Sequence, residues 1–304
     1  MEITVLGSGT SHGIPVITCD CAVCRSPDRR DRRRRSSIYV EGSGGEKIVV
    51  DTGCDFRMQA LEAGITRLDA LLLTHAHADH LHGLDDIRPL TWDGAVPVYG
   101  AAETLADLRA RFDYIFKDTQ RGGGKPKIEL FPVSAPFRVG RVNVRPLPIE
   151  HGILTIFGYI FDEGGAKAAY ITDCSALPGS PANPPPNQNC CGRAAASSGN
   201  TAADSNGTDG DSFSFVKQCE ILILGALREK AHPTHFNFEQ ALALVRALCG
   251  TPPGERNLRQ VYFTHISHET SHHNIAQYCA AWLKKEGITG LAIAPAYDTL
   301  HIRF

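Results

Sequence analysis

Thr74-His75-Ala76-His77-Ala78-Asp79-His80 follows directly on the apolar run Leu68-Asp69-Ala70-Leu71-Leu72-Leu73. Such a run predicts a buried strand, and a strand end is a rigid place to mount side chains. His75 and His77, two apart in an extended turn, project to one side. Asp79 and His80 lie where the next helix begins and aim at a neighbouring point. Four ligand-type residues in so short a stretch need two metal ions or one crowded one, and a buried carboxylate among imidazoles without a cation would be costly.

Further out, short β-branched runs at residues 2–6, 37–40, 47–51, 96–99, 142–147, 156–161, 168–172, 220–224, 259–263 and 290–294 read as strands beside the run at 69–73. Helical spacing marks residues 55–63, 80–88, 101–112, 237–248 and 272–285. The strands come in runs instead of alternating strictly with helices, which predicts two mixed sheets covered by helices. Three isolated residues stand at the ends of later strands: His151, Asp173 and His265. Each alone is an ordinary hydrogen-bonding residue, but with the HxHxDH cluster they complete a set.

The chain has 304 residues, a formal charge of −2 and 42% hydrophobic content, enough for a core. That charge carries no field to gather nucleic acid or anionic membrane, and no stretch approaches the roughly 20 apolar residues of a membrane span. Residues 1–7 read as a strand with no cationic leader, so the expectation is a cytoplasmic protein. The basic stretch Arg29 to Arg35 is read as a solvated loop, with a phosphate-attracting rim as the alternative. From Pro178 to about Ser214 the composition turns to Pro, Asn, Ser, Gly and Ala, which predicts a disordered insertion at 178–214 in a single domain spanning 1–304. Cys190-Cys191 within it are read as passengers. In a reducing compartment the cluster Cys19-Asp20-Cys21-Ala22-Val23-Cys24 reads as metal ligands. Cys54, Cys174, Cys219, Cys249 and Cys279 read as small core fillers.

With these motifs the chain resembles the metallo-β-lactamase superfamily and, more narrowly, the PhnP-like phosphodiesterases, over nearly everything but the insertion. Asp51-Thr52-Gly53 matches the superfamily's earlier aspartate motif. The resemblance implies a four-layer α+β fold, an αβ/βα sandwich with its site along one sheet edge. It implies that His75, His77 and His151 hold one metal, that Asp79, His80 and His265 hold the other with Asp173 bridging, and that Asp51 orients a ligand. Two divalent ions, two ligand carboxylates and a bridging hydroxide would leave a charge of about +1, suited to a phosphodiester monoanion. Zinc or manganese fits these donors, with iron also compatible.

Three thiols need a fourth ligand to close a tetrahedral structural zinc. His268 is the candidate, three residues after His265, and the PhnP-like pattern carries both the CxCxxC and that histidine. His235 precedes a helix whose start is marked by Asn237 and Gln240, and the family assigns a histidine of this region the role of general acid. His235, Asp79 and Asp173 are therefore the expected catalytic residues, with His232 the second choice for the acid. His272 is read as a surface helix histidine and His82 as packing locally, while His12 and Asp298 match family positions without an assigned step. The expected substrate is a small or cyclic phosphodiester, with a homodimer left open. One alternative is tRNase Z-like RNA processing, whose tRNA-gripping arm has no room in the 21 residues between His151 and Asp173. Others are an oxidative protein of the pyrroloquinoline-quinone synthesis type, which would need an altered ligand set, and a non-catalytic zinc scaffold.

Overall fold

The structure, a computed structural model, describes residues 1–118, 124–183, 211–250 and 257–304. Strands β1 (Glu2–Gly7), β2 (Ser37–Glu41), β3 (Lys47–Val50), β4 (Ala70–Leu72), β5 (Val96–Gly100) and β6 (Ile128–Pro132) form one sheet, completed by the last strand of the chain, β14 (His301–Arg303). The second sheet holds β7 (Phe137–Val139), β8 (Val142–His151), β9 (Leu154–Glu163), β10 (Ala166–Ile171), β11 (Ile221–Gly225), β12 (Gln260–Thr264) and β13 (Ala292–Pro295). Both sheets are mixed. β14, β1, β2 and β3 pair antiparallel before the parallel run β3 to β6, and β7 to β10 pair antiparallel before the parallel run β10 to β13.

The two-residue period of the strands sorts side chains into layers. Ile38, Val40, Ile48, Val50 and Leu72 point into the core between the sheets, where they meet Tyr159, Phe161, Tyr170 and Ile223. Tyr39, Val49 and Leu71 point the other way, under helices α1 (Phe56–Glu62), α2 (Ala78–Leu81), α3 (Ala102–Arg111) and α4 (Asp113–Phe116). The outer face of the second sheet is covered by α5 (Ser212–Val216), α6 (Phe238–Cys249) and α7 (His272–Glu286). The result is the expected αβ/βα sandwich. Among the described residues no helix is long and apolar enough to cross a membrane.

Four readings change here, and a fifth, that of His272, changes at the site below. The helix read at 80–88 is a single turn, α2, followed by a 3₁₀ stretch at Leu84–Thr91. The break comes at Gly83, whose N–H bonds Thr52 O at 2.8 Å and where a Cβ would collide with the Gly53 carbonyl; Pro89 then lacks a donor for continued α-helix. Residues 212–214 of the supposed insertion belong to α5, whose buried Ser212 and Val216 and half-buried Phe213 pack on the sheet; 184–210, with Cys190 and Cys191, lie outside the described residues. Cys54 is exposed, unlike Cys174, Cys219, Cys249 and Cys279, which are buried. Within the basic stretch, Arg33 is fully buried.

Candidate metal centre

The residues of the HxHxDH motif sit at the carboxyl end of β4, with Asp51 after β3, Asp173 after β10, His265 after β12 and His151 closing β8. Ligands collect where parallel strands end because the chain there leaves the sheet and opens a crevice. Asp51, Asp173 and His265 have φ of 64°, 53° and 54°. This left-handed backbone costs on the order of 1–3 kcal/mol per residue and turns each side chain off the strand direction. Aspartate and histidine tolerate it better than most.

One carboxylate organises the first half of the centre. Asp51 is buried and accepts from Thr74 N (2.8 Å), Thr74 Oγ1 (2.7 Å) and His80 Nδ1 (2.7 Å). Because the Thr74 hydroxyl donates to Asp51, its oxygen accepts from His75 Nδ1 at 3.0 Å. Both imidazoles are thereby held with Nδ1 protonated and Nε2 bare. His151 is set the same way, since Nδ1 faces the Thr234 carbonyl at 2.8 Å, which can only accept. The Asp51-Thr52-Gly53 backbone docks on α2 as well: Thr52 N bonds His80 O at 2.8 Å, and a Cβ on Gly53 would meet the Asp79 carbonyl.

The donors gather into adjoining groups. Those of His75, His77 and His151 lie within 4.8 Å of one another, as do those of Asp79, His80, Asp173 and His265, and those of His151, Asp173 and His235. His80 Nε2 is 3.1 Å from Asp79 Oδ2 and 3.2 Å from Asp173 Oδ2, and Asp173 Oδ2 is also 3.2 Å from His265 Nδ1. Thr10 Oγ1, 3.0 Å from Nε2, and Ser36 Oγ, 3.2 Å from Nδ1, hold the His265 ring.

The donor set fits divalent cations. His75 Nε2 and His80 Nε2 are buried and make no hydrogen bond, a costly state for a bare lone pair unless a cation meets it. Burial lowers the His75 pKa far below its usual value, helped by the neighbouring imidazoles, so it stays a neutral donor. Burial also pulls down on His80, but Asp173, Asp79 and Asp51 outweigh it and raise its pKa well above the ordinary range, so its Nε2 draws a proton unless a cation takes that place. A cluster of carboxylates that demands positive charge at one imidazole is one a metal dication would satisfy.

The second group is separate. Cys19, Cys21, Cys24 and His268 converge, with His268 Nδ1 at 3.3, 3.5 and 3.6 Å from the three sulfurs. The Cys24 N–H donates to Cys21 Sγ at 3.4 Å and draws that thiol down to about 6, while burial pushes Cys24 up to about 11. With four protein donors no position is left for substrate. If this group holds the structural zinc that the sequence leads one to expect, Cys21→Ser will lose about one zinc per chain and lower Tm, because a structural site contributes folding free energy directly. Metal analysis and a thermal melt read this out; unchanged zinc and Tm would remove the site.

Several residues that hold the centre carry no sequence signal. Thr10, Ser36, Thr74 and Thr234 are ordinary residues made important by their contacts. Asp298 accepts from Ser8 N (3.0 Å), Ser8 Oγ (2.9 Å) and Arg34 N (2.8 Å), tying the turn after β1 to the chain end. His272 is buried against Tyr297, not on the surface as read, and its N–H donates to Asp31 Oδ1 at 2.6 Å. Arg33 bonds the same carboxylate oxygen at 3.0 Å and also the carbonyls of Ser267 (2.6 Å) and Thr270 (3.1 Å), so one buried pair clamps the loop that carries His265 and His268. His82 is exposed, its ring edge-on to Phe112, and His12 is exposed. Arg33→Ala strands the buried Asp31 and is expected to cost about 3–5 kcal/mol of unfolding free energy. Urea denaturation measures it, and a loss under about 1 kcal/mol would mean the loop is held otherwise.

Residues 46–184 match the Beta-lactamase superfamily domain. A crystal structure described as a new diphosphatase from the PhnP family is 34% identical, with a TM-score of 0.74, covering 100% of this chain and 97% of that one. An octanoyltransferase of Porphyromonas gingivalis is 35% identical over 276 residues, which are 90% of this chain and 47% of that protein. Coenzyme PQQ synthesis protein B of Methylobacterium nodulans is 27% identical over 207 residues, 58% of this chain and 67% of that one. The chain thus spans about half the length of the octanoyltransferase it matches. The chain belongs to the metallo-β-lactamase superfamily, in its PhnP-like branch.

Proposed function

We propose that the chain is a metal-dependent hydrolase of small phosphodiesters, cyclic or diphosphate-linked. The observation that supports this most is a chain of adjoining donor groups, two sharing Asp173 and two sharing His151, with the buried Nε2 atoms of His75 and His80 among them. His75, His77 and His151 would hold one divalent ion, Asp79, His80 and His265 a second, and Asp173 would stand between them. When bound, such ions supply positive charge for phosphoryl oxygens and make water acidic enough to attack at neutral pH. The protein's own part is to fix the imidazole tautomers through Asp51, Thr74 and Thr234, and to keep a proton near the leaving oxygen.

His235 is the residue for that proton. Its Nε2 lies 3.0 Å from Asp173 Oδ1 and its side chain is 15% exposed, so the atom faces both the centre and the entrance. Its Nδ1 is 2.9 Å from Thr234 Oγ1 and 3.0 Å from His232 Nδ1. The two facing Nδ1 atoms can share only one proton, so His232 bears on the tautomer of His235. The PhnP-family diphosphatase supports a phosphoric diester or anhydride as substrate. The test is turnover of bis-p-nitrophenyl phosphate, ribose cyclic phosphates and a diphosphate diester by metal-loaded protein, beside a lactone and a thioester. Hydrolysis of the lactone or thioester alone would overturn the proposal.

A further inference from the structure

We propose that Arg111, Phe112 and His82 form the subsite for the nucleoside diphosphate end of the substrate, with the second phosphate on the Arg111 guanidinium and the base against the two rings. This rests on the phosphodiesterase reading above. The three residues line a shallow, open depression of about 500 Å³. It adjoins the metal motif. Arg111, the last residue of α3, donates through Nη1 to the carbonyl of Ala76, the residue between His75 and His77. Its other amino group has only the exposed Asp107 carboxylate, 3.6 Å away, and the side chain is 40% exposed. One edge of the guanidinium is thus anchored beside the centre, and the other holds only a long, exposed ion pair that a phosphate can displace. Arg35 is held elsewhere, with Nη1 on both Asp55 oxygens at 3.0 Å and Nε on the Ser11 carbonyl at 3.1 Å.

The rings supply the other half. Phe112 leaves the helix at φ −113° and ψ 40°, half-buried against the outer core, so its orientation is set by packing. His82 caps α2, two residues beyond His80, and presents its exposed ring with centroids 6.2 Å from Phe112 at an interplanar angle of 80°. A guanidinium reads phosphate through paired N–H donors, and a fixed aromatic face takes a planar base. Because Arg111 bonds the carbonyl between His75 and His77, it is assigned the second of two adjacent phosphates, the first being at the metal centre, in a diphosphate diester carrying a nucleoside.

Calorimetric titration with ADP, beside kcat/KM for bis-p-nitrophenyl phosphate, tests the assignment on wild type, Arg111→Gln and Phe112→Leu. Phe112→Leu keeps apolar volume under the core and does not touch the Ala76 carbonyl. Each variant is expected to weaken ADP binding by about tenfold or more, and by a larger factor than its change in bis-p-nitrophenyl phosphate turnover. ADP bound equally by all three, or by none, overturns the subsite; bis-p-nitrophenyl phosphate turnover in the same preparations would leave the phosphodiesterase reading standing. Equal losses on ADP and the small diester also overturn it, assigning Arg111 to the His75–His77 turn alone. ADP binding that depends on both residues, in a protein that cleaves no phosphodiester, would support the subsite and remove the hydrolase reading.

Discussion

Asp173→Asn is expected to lower kcat/KM for a phosphodiester by about three orders of magnitude or more, with the fold retained. Asp173 stands within 3.2 Å of ring nitrogens of His80, His265 and His235, so all three donor positions lose their common charge together. Loss of metal-borne stabilisation is worth several kcal/mol, at about 1.4 kcal/mol per tenfold in rate. Asparagine is the informative replacement because it tolerates the left-handed backbone at φ 53° and keeps the side-chain volume. The sheets, not the centre, bury the core, so far-UV circular dichroism should be unchanged while metal content falls. Full metal content together with full activity would sink the dinuclear assignment.

His235→Ala is expected to keep all metal and to lower kcat for an alkyl phosphodiester by about 10²–10⁴-fold, the usual loss of a general acid. An alkoxide leaves poorly without a proton, whereas p-nitrophenolate leaves well, so the p-nitrophenyl diester should lose much less. The geometry behind this is the 3.0 Å approach of His235 Nε2 to Asp173 Oδ1, with the ring stacked on His265 at 4.9 Å. Equal losses on both substrates would make His235 a positioning residue and turn attention to His232, whose Nδ1 faces it.

How much was legible differs by element. The interior strands announced themselves through apolar runs, as in Leu71, Leu72 and Leu73 or Ile221 to Leu224, which are buried on both faces. β6, β7 and β14 went unread, and all three are sheet edges. An edge strand has a neighbour on one side only and carries residues such as Glu129, Arg138 and Arg303 that suit solvent and discourage further pairing. α2 was read too long because periodicity does not see that Gly83 must lie against the Gly53 backbone.

Residue type and spacing alone determined the chemistry on offer: imidazoles and carboxylates packed into residues 75–80, three thiols within residues 19–24, and strand ends on which to mount them. Those properties are local, since a donor atom is named by its side chain and a short motif sets its own reach. Tertiary structure alone decided which donors meet and in what protonation state. Cys19 finds His268 across 249 residues, Asp51 sets the tautomer of His75 by taking the Thr74 hydroxyl proton, and Thr234 sets that of His151. Arg33 changes from a solvated charge to a buried clamp, and Asp51, Asp173 and His265 take a strained backbone. Each of these is set by groups distant in the chain and brought within hydrogen-bond range only by packing, so no reading of a local stretch contains it.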